Sequence, residues 1–151
     1  MRRTAAFTLV EIMVVVGVIA LLAVLAVPSL LHARQETQNA RFVNALRIAT
    51  DAFEIYAAEH NNYPPDALRA IVPTGMANYF GNKLDWTAPT PIGGSWDWDY
   101  NQFGFTAGVS VVNPTVSTQQ LLEIDRKIDD GNLSTGSFQD KGSSRYTSIL
   151  Q

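Results

Sequence analysis

The chain has 151 residues, no cysteine and a formal net charge of −3 at pH 7. This length allows one modest domain beside an anchor, since domains most often have about 100–150 residues. The missing thiols exclude disulfides, a thiolate nucleophile and cysteine-ligated zinc. The weakly acidic balance argues against binding to nucleic acid, which needs a basic surface.

The N-terminus combines a short basic leader, with Arg2 and Arg3, and an uncharged apolar run from residue 12 to residue 31. A helix over this run would span about 30 Å, the thickness of the hydrocarbon core of a bilayer. The two arginines favour a cytoplasmic N-terminus, so the residues after Leu31 are expected on the far side. The alternative is a cleaved secretory signal peptide, whose apolar core has only about 7–15 residues and precedes a small-x-small site. The run here is longer and no strong site follows it, so we predict a membrane-spanning helix.

Helical periodicity continues beyond the predicted membrane exit. An apolar stripe recurs every three or four residues, which is typical of a helix packed on one face: Phe42, Leu46, Ala49, Phe53 and Tyr56. We expect one long helix from about Phe7 to His60, ended by Pro64 and Pro65. Inside it, Pro28 removes a main-chain hydrogen bond and predicts a kink, and Gly17 is a second flexible point.

The remaining segment, residues 64–151, has no long helical period and is predicted to be a small head. A short helix is expected over Pro65 to Ile71, with proline near its first position. Trp96, Trp98 and Tyr100 alternate with acidic residues, which indicates a half-buried strand, and "FGFTAGVSVVN" and "SRYTSIL" are further strand candidates. Ser117 begins a capping-box pattern before a helix that is expected to end near Gly131.

These elements predict an α+β fold in which a long N-terminal helix packs against a small antiparallel sheet. Four regions follow: a leader at residues 1–6, a transmembrane and assembly helix at 7–31, an amphipathic continuation of the helix at 32–63, and a globular α+β head at 64–151.

The stretch from Ala6 through "FTLVEIMVVVGVIALLAVLAVPSLL" resembles the N-terminus of type IV pilins and of the pseudopilins of type II secretion. In that family a prepilin peptidase removes a basic leader on the cytoplasmic side, and the new N-terminal residue, usually phenylalanine, is N-methylated. The resemblance implies a cut between Ala6 and Phe7 and methylation of Phe7. The family normally has glycine before the cut, where this chain has Ala6.

Glu11 is the single acid within this apolar stretch. An acid in the middle of a bilayer costs about 2.5–3.5 kcal/mol on insertion scales. After the implied cut, Glu11 becomes the fifth residue, where the family has its glutamate. The resemblance implies that it pairs with the Phe7 amine of a neighbouring subunit, so that one charge pair selects the register of assembly. The alternative is that Glu11 lies hydrated at the headgroup level and needs no partner.

Oxygen ligands of the kind that calcium prefers lie close together near the C-terminus: Asp125, Asp129, Asp130 and Asn132. Their spacing does not match an EF-hand, and a helix end followed by a turn explains them equally well. Some major pseudopilins, which the chain resembles, hold calcium in a C-terminal loop. Calcium at these residues is therefore the one candidate cofactor, and no other is predicted.

The aromatic residues of the head admit two interpretations. Trp86, Trp96, Trp98 and Tyr100 would suit stacking on sugars or on a secreted client, but aromatic residues that alternate in a strand more often form the core. No Ser/His/Asp set or phosphate-binding loop is evident, so we predict that the chain is not an enzyme.

The resemblance thus implies a pseudopilin-like structural subunit that forms a filament for type II protein secretion, with the partners and location of that family. Expected partners are copies of itself, other pseudopilins, a prepilin peptidase, an inner-membrane assembly platform and membrane lipid, without nucleic acid. The predicted location is the inner membrane, with a cytoplasmic N-terminus and a periplasmic head that is extractable into a filament. The alternatives are a true type IV pilin for adhesion, motility or DNA uptake, slightly disfavoured by the missing C-terminal cysteine pair, and a membrane-tethered carbohydrate- or protein-binding module.

Overall fold

The computed structural model describes residues 7–150 of the chain. It contains three helices, α1 to α3, and four strands, β1 to β4, which confirms the predicted α+β pilin-like class. Their bounds are Leu9–His60 (α1), Ala77–Phe80 (α2), Ser95–Tyr100 (β1), Ala107–Val112 (β2), Thr118–Ile128 (α3), Phe138–Gly142 (β3) and Arg145–Ile149 (β4). The chain divides between Glu36 and Thr37 into two compact units, which we describe separately.

The first unit contains the N-terminal part of α1. Every residue from Phe7 to Arg34 is exposed, and α1 holds an 18-residue window with a mean hydropathy of 3.0, none of it buried. By length and composition this part of α1 is able to cross a membrane. Pro28 lies inside α1, and the helix continues through it; the kink predicted there and at Gly17 remains a prediction. An apolar helix exposed on all sides is stable only in lipid or against other apolar chains.

The second unit is built on a four-stranded antiparallel sheet with the order β1-β2-β4-β3. The β1–β2 hairpin brings Trp96 opposite Val111 and Trp98 opposite Val109, and these four side chains are buried. Side chains alternate between the faces of a sheet. One face of the sheet therefore carries the apolar core, while Asp97 and Asp99 lie on the other.

The core forms where the amphipathic part of α1 meets the tryptophan-bearing face of the sheet. Phe53 stacks on Trp98 with ring centroids 3.7 Å apart and makes edge contacts with Phe80 and Trp86. Phe42 stacks on Trp96 at 5.7 Å. Because the three tryptophans are all nearly fully buried, the core interpretation is confirmed for them, and these rings present no sugar-binding surface. Tyr100 is half-buried and packs against this core.

Helix α3 is fixed to α1 by polar side chains. The Ser117 hydroxyl accepts the Gln120 N–H at 3.3 Å, as the capping-box pattern predicts. The Gln120 side-chain amide then donates to the side-chain oxygens of Gln38 and Asn39 on α1, at 3.1 and 2.8 Å. These bonds hold the N-terminal end of α3 against α1.

The helix predicted over Pro65 to Ile71 is wrong. The segment follows β1 instead: the Ala70 N–H donates to the Trp96 carbonyl at 2.9 Å, and Asp66 accepts the Tyr100 N–H at 3.0 Å. These hydrogen bonds to β1 replace the internal hydrogen bonds that a helix would have formed in this segment. The contact with the sheet therefore outweighs the local helix propensity. The sequence analysis also missed α2 and the edge strand β3, whose residues carry little apolar periodicity.

Candidate functional site

The first turn of α1 is a reciprocal cap made by Thr8 and Glu11. The Thr8 N–H and hydroxyl both donate to Glu11 Oε2, each at 2.8 Å, and the Glu11 N–H donates to Thr8 Oγ1 at 3.2 Å. Such a capping box satisfies donors that the start of a helix leaves free. Sequence reasoning missed this role of Glu11, although Thr8 followed three residues later by glutamate is the usual signature.

The cap engages one carboxylate oxygen of Glu11 without neutralising its charge. Thr8 is neutral, and within residues 7–150 it is the partner that the Glu11 carboxylate contacts, through Oε2. Oε1 takes part in neither bond. Phe7, next to the cap, is 81% exposed. The turn therefore offers a carboxylate oxygen for a cation that comes from outside the described residues.

The cleavage and methylation predicted at Ala6 and Phe7 fall at the edge of this turn. Ala6 lies outside the described residues, and Phe7 is the first residue within them. Cleavage of the peptide bond between Ala6 and Phe7, and methylation of Phe7, therefore remain predictions.

Comparisons with known proteins identify this N-terminal region. Residues 1–27 match the family model described as a prokaryotic N-terminal methylation motif. The chain has the N-terminal motif and the fold of a pilin-like protein.

Three relatives of this pilin-like chain are informative. Type II secretion system core protein G of Aeromonas hydrophila is 33% identical over 63 residues, which is 42% of this chain and 44% of that protein. The type IV wide pilus major component PilA4 of Thermus thermophilus is 35% identical over 76 residues, covering 50% and 57% of the two chains. Core protein G of Klebsiella pneumoniae is 34% identical over 74 residues, covering 48% and 53%. The chain thus spans about half the length of the curated relatives that it matches, and no solved structure gives a significant match.

A second candidate site lies in the head, where α3 ends. Asp125 on α3 and the following Asp129 and Asp130 each offer a carboxylate oxygen, and these oxygens lie within 4.8 Å of one another. Asp129 is also the helix C-cap, a position that the sequence analysis expected nearer Gly131. It fastens the following loop, because its Oδ2 accepts the Ser137 hydroxyl at 2.8 Å and the Phe138 N–H at 3.2 Å.

Asp125 is the unusual member of this acidic group. It is fully buried, and neither of its carboxylate oxygens accepts a hydrogen bond with acceptable geometry. Burial, reinforced by the neighbouring Asp129 carboxylate, raises the pKa of Asp125 to about 7. Burial alone would also raise the pKa of Asp129, but the Ser137 and Asp130 N–H groups lower it to about 2. A buried carboxylate without a donor requires a proton or a cation.

The residues fit a hard cation that prefers oxygen ligands, as calcium does. Asp125 offers two free oxygens, while Asp130 also accepts the Asn132 N–H at 2.9 Å and the Thr135 hydroxyl at 2.6 Å. The Asn132 side-chain oxygen accepts the Ser134 N–H at 3.1 Å and so stabilises the turn. The structure therefore brings three of the four predicted ligands together by their carboxylates, and Asn132 closes the loop around them.

A third charged group lies on the polar face of the sheet and was not singled out by the sequence analysis. Arg145 contacts Asp97 at 2.8 Å and Asp99 at 2.5 Å, and all three side chains are largely buried. The Ser110 hydroxyl also donates to Asp99. Burial raises the pKa of Asp97, while its bond to Arg145 opposes that shift. The head thus neutralises these acids with a cation of its own, which Glu11 does not have among the described residues.

Proposed function

We propose that this pilin-like chain is a pseudopilin-like structural subunit. A prepilin peptidase removes residues 1–6, Phe7 is methylated, and the trimmed chain assembles with its own copies and with other pseudopilins into a filament for type II secretion. The observation that carries the proposal is the first turn of α1, where the capped but unneutralised Glu11 lies at the start of a helical segment whose residues up to Arg34 are all exposed. The role is structural, without catalytic turnover.

The chemistry of assembly follows from the charges of this turn. Cleavage before Phe7 creates an α-amine at Phe7, a position that carries no cation in the uncut chain. In apolar surroundings, the amine of one subunit and the Glu11 carboxylate of a neighbour are stabilised by pairing, since each alone is costly. Thr8 holds Oε2 by two hydrogen bonds, which orients Oε1 for the amine. Cleavage would therefore prepare the chain for assembly in one defined register.

The proposed location is the inner membrane, with the N-terminus cytoplasmic and the head periplasmic, before extraction into the filament. The basic leader with Arg2 and Arg3 supports this orientation, because positive charges flanking a membrane helix favour the cytoplasmic side. An inner-membrane assembly platform and lipid are the further partners that this location requires.

A true type IV pilin is the second candidate function. Its support is the 35% identity with the Thermus thermophilus pilus component, against 33–34% with the two core protein G relatives. Deleting the gene distinguishes the two functions: loss of a secreted enzyme supports the pseudopilin role, and loss of surface pili with normal secretion supports the pilin role.

We also propose that the head binds calcium through Asp125, Asp129 and Asp130. The support is the buried Asp125 carboxylate, which receives no hydrogen bond. Calcium would neutralise it and join the end of α3 to the loop that Asp129 holds.

Intact-mass spectrometry tests the processing step. The full chain, expressed with and without a prepilin peptidase, should lose residues 1–6 only in the presence of the enzyme and gain one methyl group on Phe7. Ala6→Gly should be cleaved at least as fully, and Ala6→Arg should remain uncut. A new N-terminus beyond Ala26, formed without the enzyme, would identify a conventional signal peptide and contradict the proposal.

A further inference from the structure

The part of α1 that belongs to the head carries an exposed aliphatic side chain between acids. Ile55 is 52% exposed, although it lies on a helix that buries Phe53 completely. Asp51 precedes it and Glu59 follows it by one helical turn, so the three side chains share one face. Asp51 forms no ion pair within residues 7–150. We call this exposed group, Asp51, Ile55 and Glu59, the Ile55 knob.

The same unit contains a groove of the opposite character. It has a volume of about 180 Å³ and lies between α1, the end of α3 and β4. Its walls are partly aliphatic and two of its lining residues are cations; the lining is Val43, Leu46, Arg47, Thr50, Lys127, Ile128 and Ser148. Arg47 is exposed and forms no ion pair within residues 7–150. We call this surface the Arg47 groove.

We propose that the Ile55 knob of one copy binds in the Arg47 groove of a second copy. The inference rests on the proposed filament function and names the head surfaces that meet in it. Ile55 matches the aliphatic walls, and Asp51 matches the cations beside them, so apolar and charged complementarity agree. Glu59, which accepts the Tyr79 hydroxyl within its own chain, adds a second negative charge at the edge of the knob. The knob cannot fill the groove of its own chain, because residues 47 and 55 are separated by about 12 Å along one helix.

The arrangement also explains how a head contact extends an assembly. Knob and groove are different surfaces of one molecule, so their contact is heterologous. An open assembly of any length therefore keeps one free knob at one end and one free groove at the other. Heterologous contacts that do not close into a ring produce open helical filaments. The knob lies farther along α1 than the groove. Each added copy is therefore shifted along the direction of α1 relative to the copy that it binds.

Disulfide crosslinking tests this contact cleanly because the natural chain has no cysteine. We would introduce Val43→Cys and Ile55→Cys together, in cells that assemble filaments of the wild-type chain. Within one chain these positions are about 18 Å apart along α1, far beyond the Cα separation of about 7 Å that a disulfide tolerates. Sheared, oxidised filaments should therefore give a ladder of multiples of the chain mass on a non-reducing gel.

Matched variants define the controls. Each single cysteine variant should give no species beyond a dimer, and Val43→Cys with Leu68→Cys should give no ladder, since Leu68 is 81% exposed but lies outside the knob. Ile55→Asp should lower filament yield by about tenfold or more, as expected for an apolar anchor at an interface. Leu68→Asp should leave the yield unchanged.

The outcomes separate this inference from the function on which it rests. Abundant filaments without a ladder overturn the knob-and-groove contact and leave the proposed function standing. A crosslink of Ile55→Cys to a protein of another mass also overturns it, because the partner would then not be a second copy. If the correctly processed wild-type chain forms no filament in its own host, the proposed function fails and this inference fails with it.

Discussion

The two units of the chain each carry an acidic group, and these groups differ in how their charge is neutralised. In the head, Asp97 and Asp99 are buried against Arg145, so the folded unit supplies its own counter-charge. In the N-terminal unit, Glu11 receives hydrogen bonds from Thr8 but no cation within the described residues. The difference is that the Asp97 and Asp99 carboxylates have their counter-charge within the folded head, whereas Glu11 has none among the described residues.

The same contrast holds for apolar surface along one helix. Past Thr37, α1 buries a stripe of side chains in the aromatic core, whereas up to Arg34 it buries none. One continuous helix is therefore suited to two surroundings: a folded head in water and an apolar medium of lipid or neighbouring helices. Variants in the two units should accordingly change different properties.

The largest expected effect comes from the core of the head. Phe53→Ala removes a ring that contacts Trp98, Trp86 and Phe80, and it should lower the free energy of unfolding by about 3–5 kcal/mol. Ile19→Ala, at an exposed position of the N-terminal unit, should leave that free energy unchanged. Urea unfolding of the full chain in detergent micelles, followed by tryptophan fluorescence, measures both. Equal losses in the two variants would remove the distinction between the units.

A comparable effect is expected at the internal charge group. Arg145→Met removes the cation that contacts Asp97 and Asp99 and should cost about 3–5 kcal/mol near neutral pH. Because burial already raises the pKa of Asp97, lowering the pH should protonate Asp97 and recover part of the loss. Unfolding measured at about pH 7 and about pH 4 tests this dependence. A loss that does not change with pH would mean that Arg145 acts by packing alone.

A smaller effect is expected at the acidic group. The folded pKa of Asp125, about 7, lies above its unfolded value of about 3.9. Its protonation therefore stabilises the metal-free head fully below about pH 4, and this contribution is lost as the pH rises through 7. Since calcium competes with that proton, the gain in melting temperature with calcium should increase from about pH 6 to about pH 8. Asp129, with a pKa of about 2, stays ionised over this range and adds no pH dependence.

Asp125→Asn provides the matched test of calcium binding. Without metal at neutral pH the variant should be as stable as the natural chain or more stable, because it removes a buried carboxylate that lacks a donor. With millimolar calcium it should gain nothing, while Asp51→Asn, an exposed change, should gain as the natural chain does. A calcium response that survives Asp125→Asn would exclude this site.

The sequence predicted the features that local pattern determines. The α1 stripe, the Trp96 and Trp98 strand and the Ser117 cap follow from periods of 3.6 and two and from one capping motif, and the structure contains all three. The segment after Pro65 was misjudged, because its backbone partners on β1 are distant in sequence. Arg145 escaped notice for the same reason, since only the sheet register brings it to Asp97 and Asp99. The Asp125 carboxylate lacks a hydrogen-bond donor because the fold buries it. The spacing of acidic residues along the sequence does not predict that burial.

The central claim is that the carboxylate of Glu11 is neutralised by the amine of a neighbouring copy. The most direct measurement is the yield of filaments from correctly processed Glu11→Gln and Glu11→Ala chains, beside Thr8→Ser as a control that keeps the cap hydroxyl. Membrane insertion should be preserved in both glutamate variants, since removing a charge lowers the cost of entering the bilayer. Assembly should be largely lost in both, because an unpaired buried amine costs about 3–5 kcal/mol, while Thr8→Ser should assemble. Normal filament yield from processed Glu11→Gln protein would show that the carboxylate serves only its own helix cap, and would contradict this account.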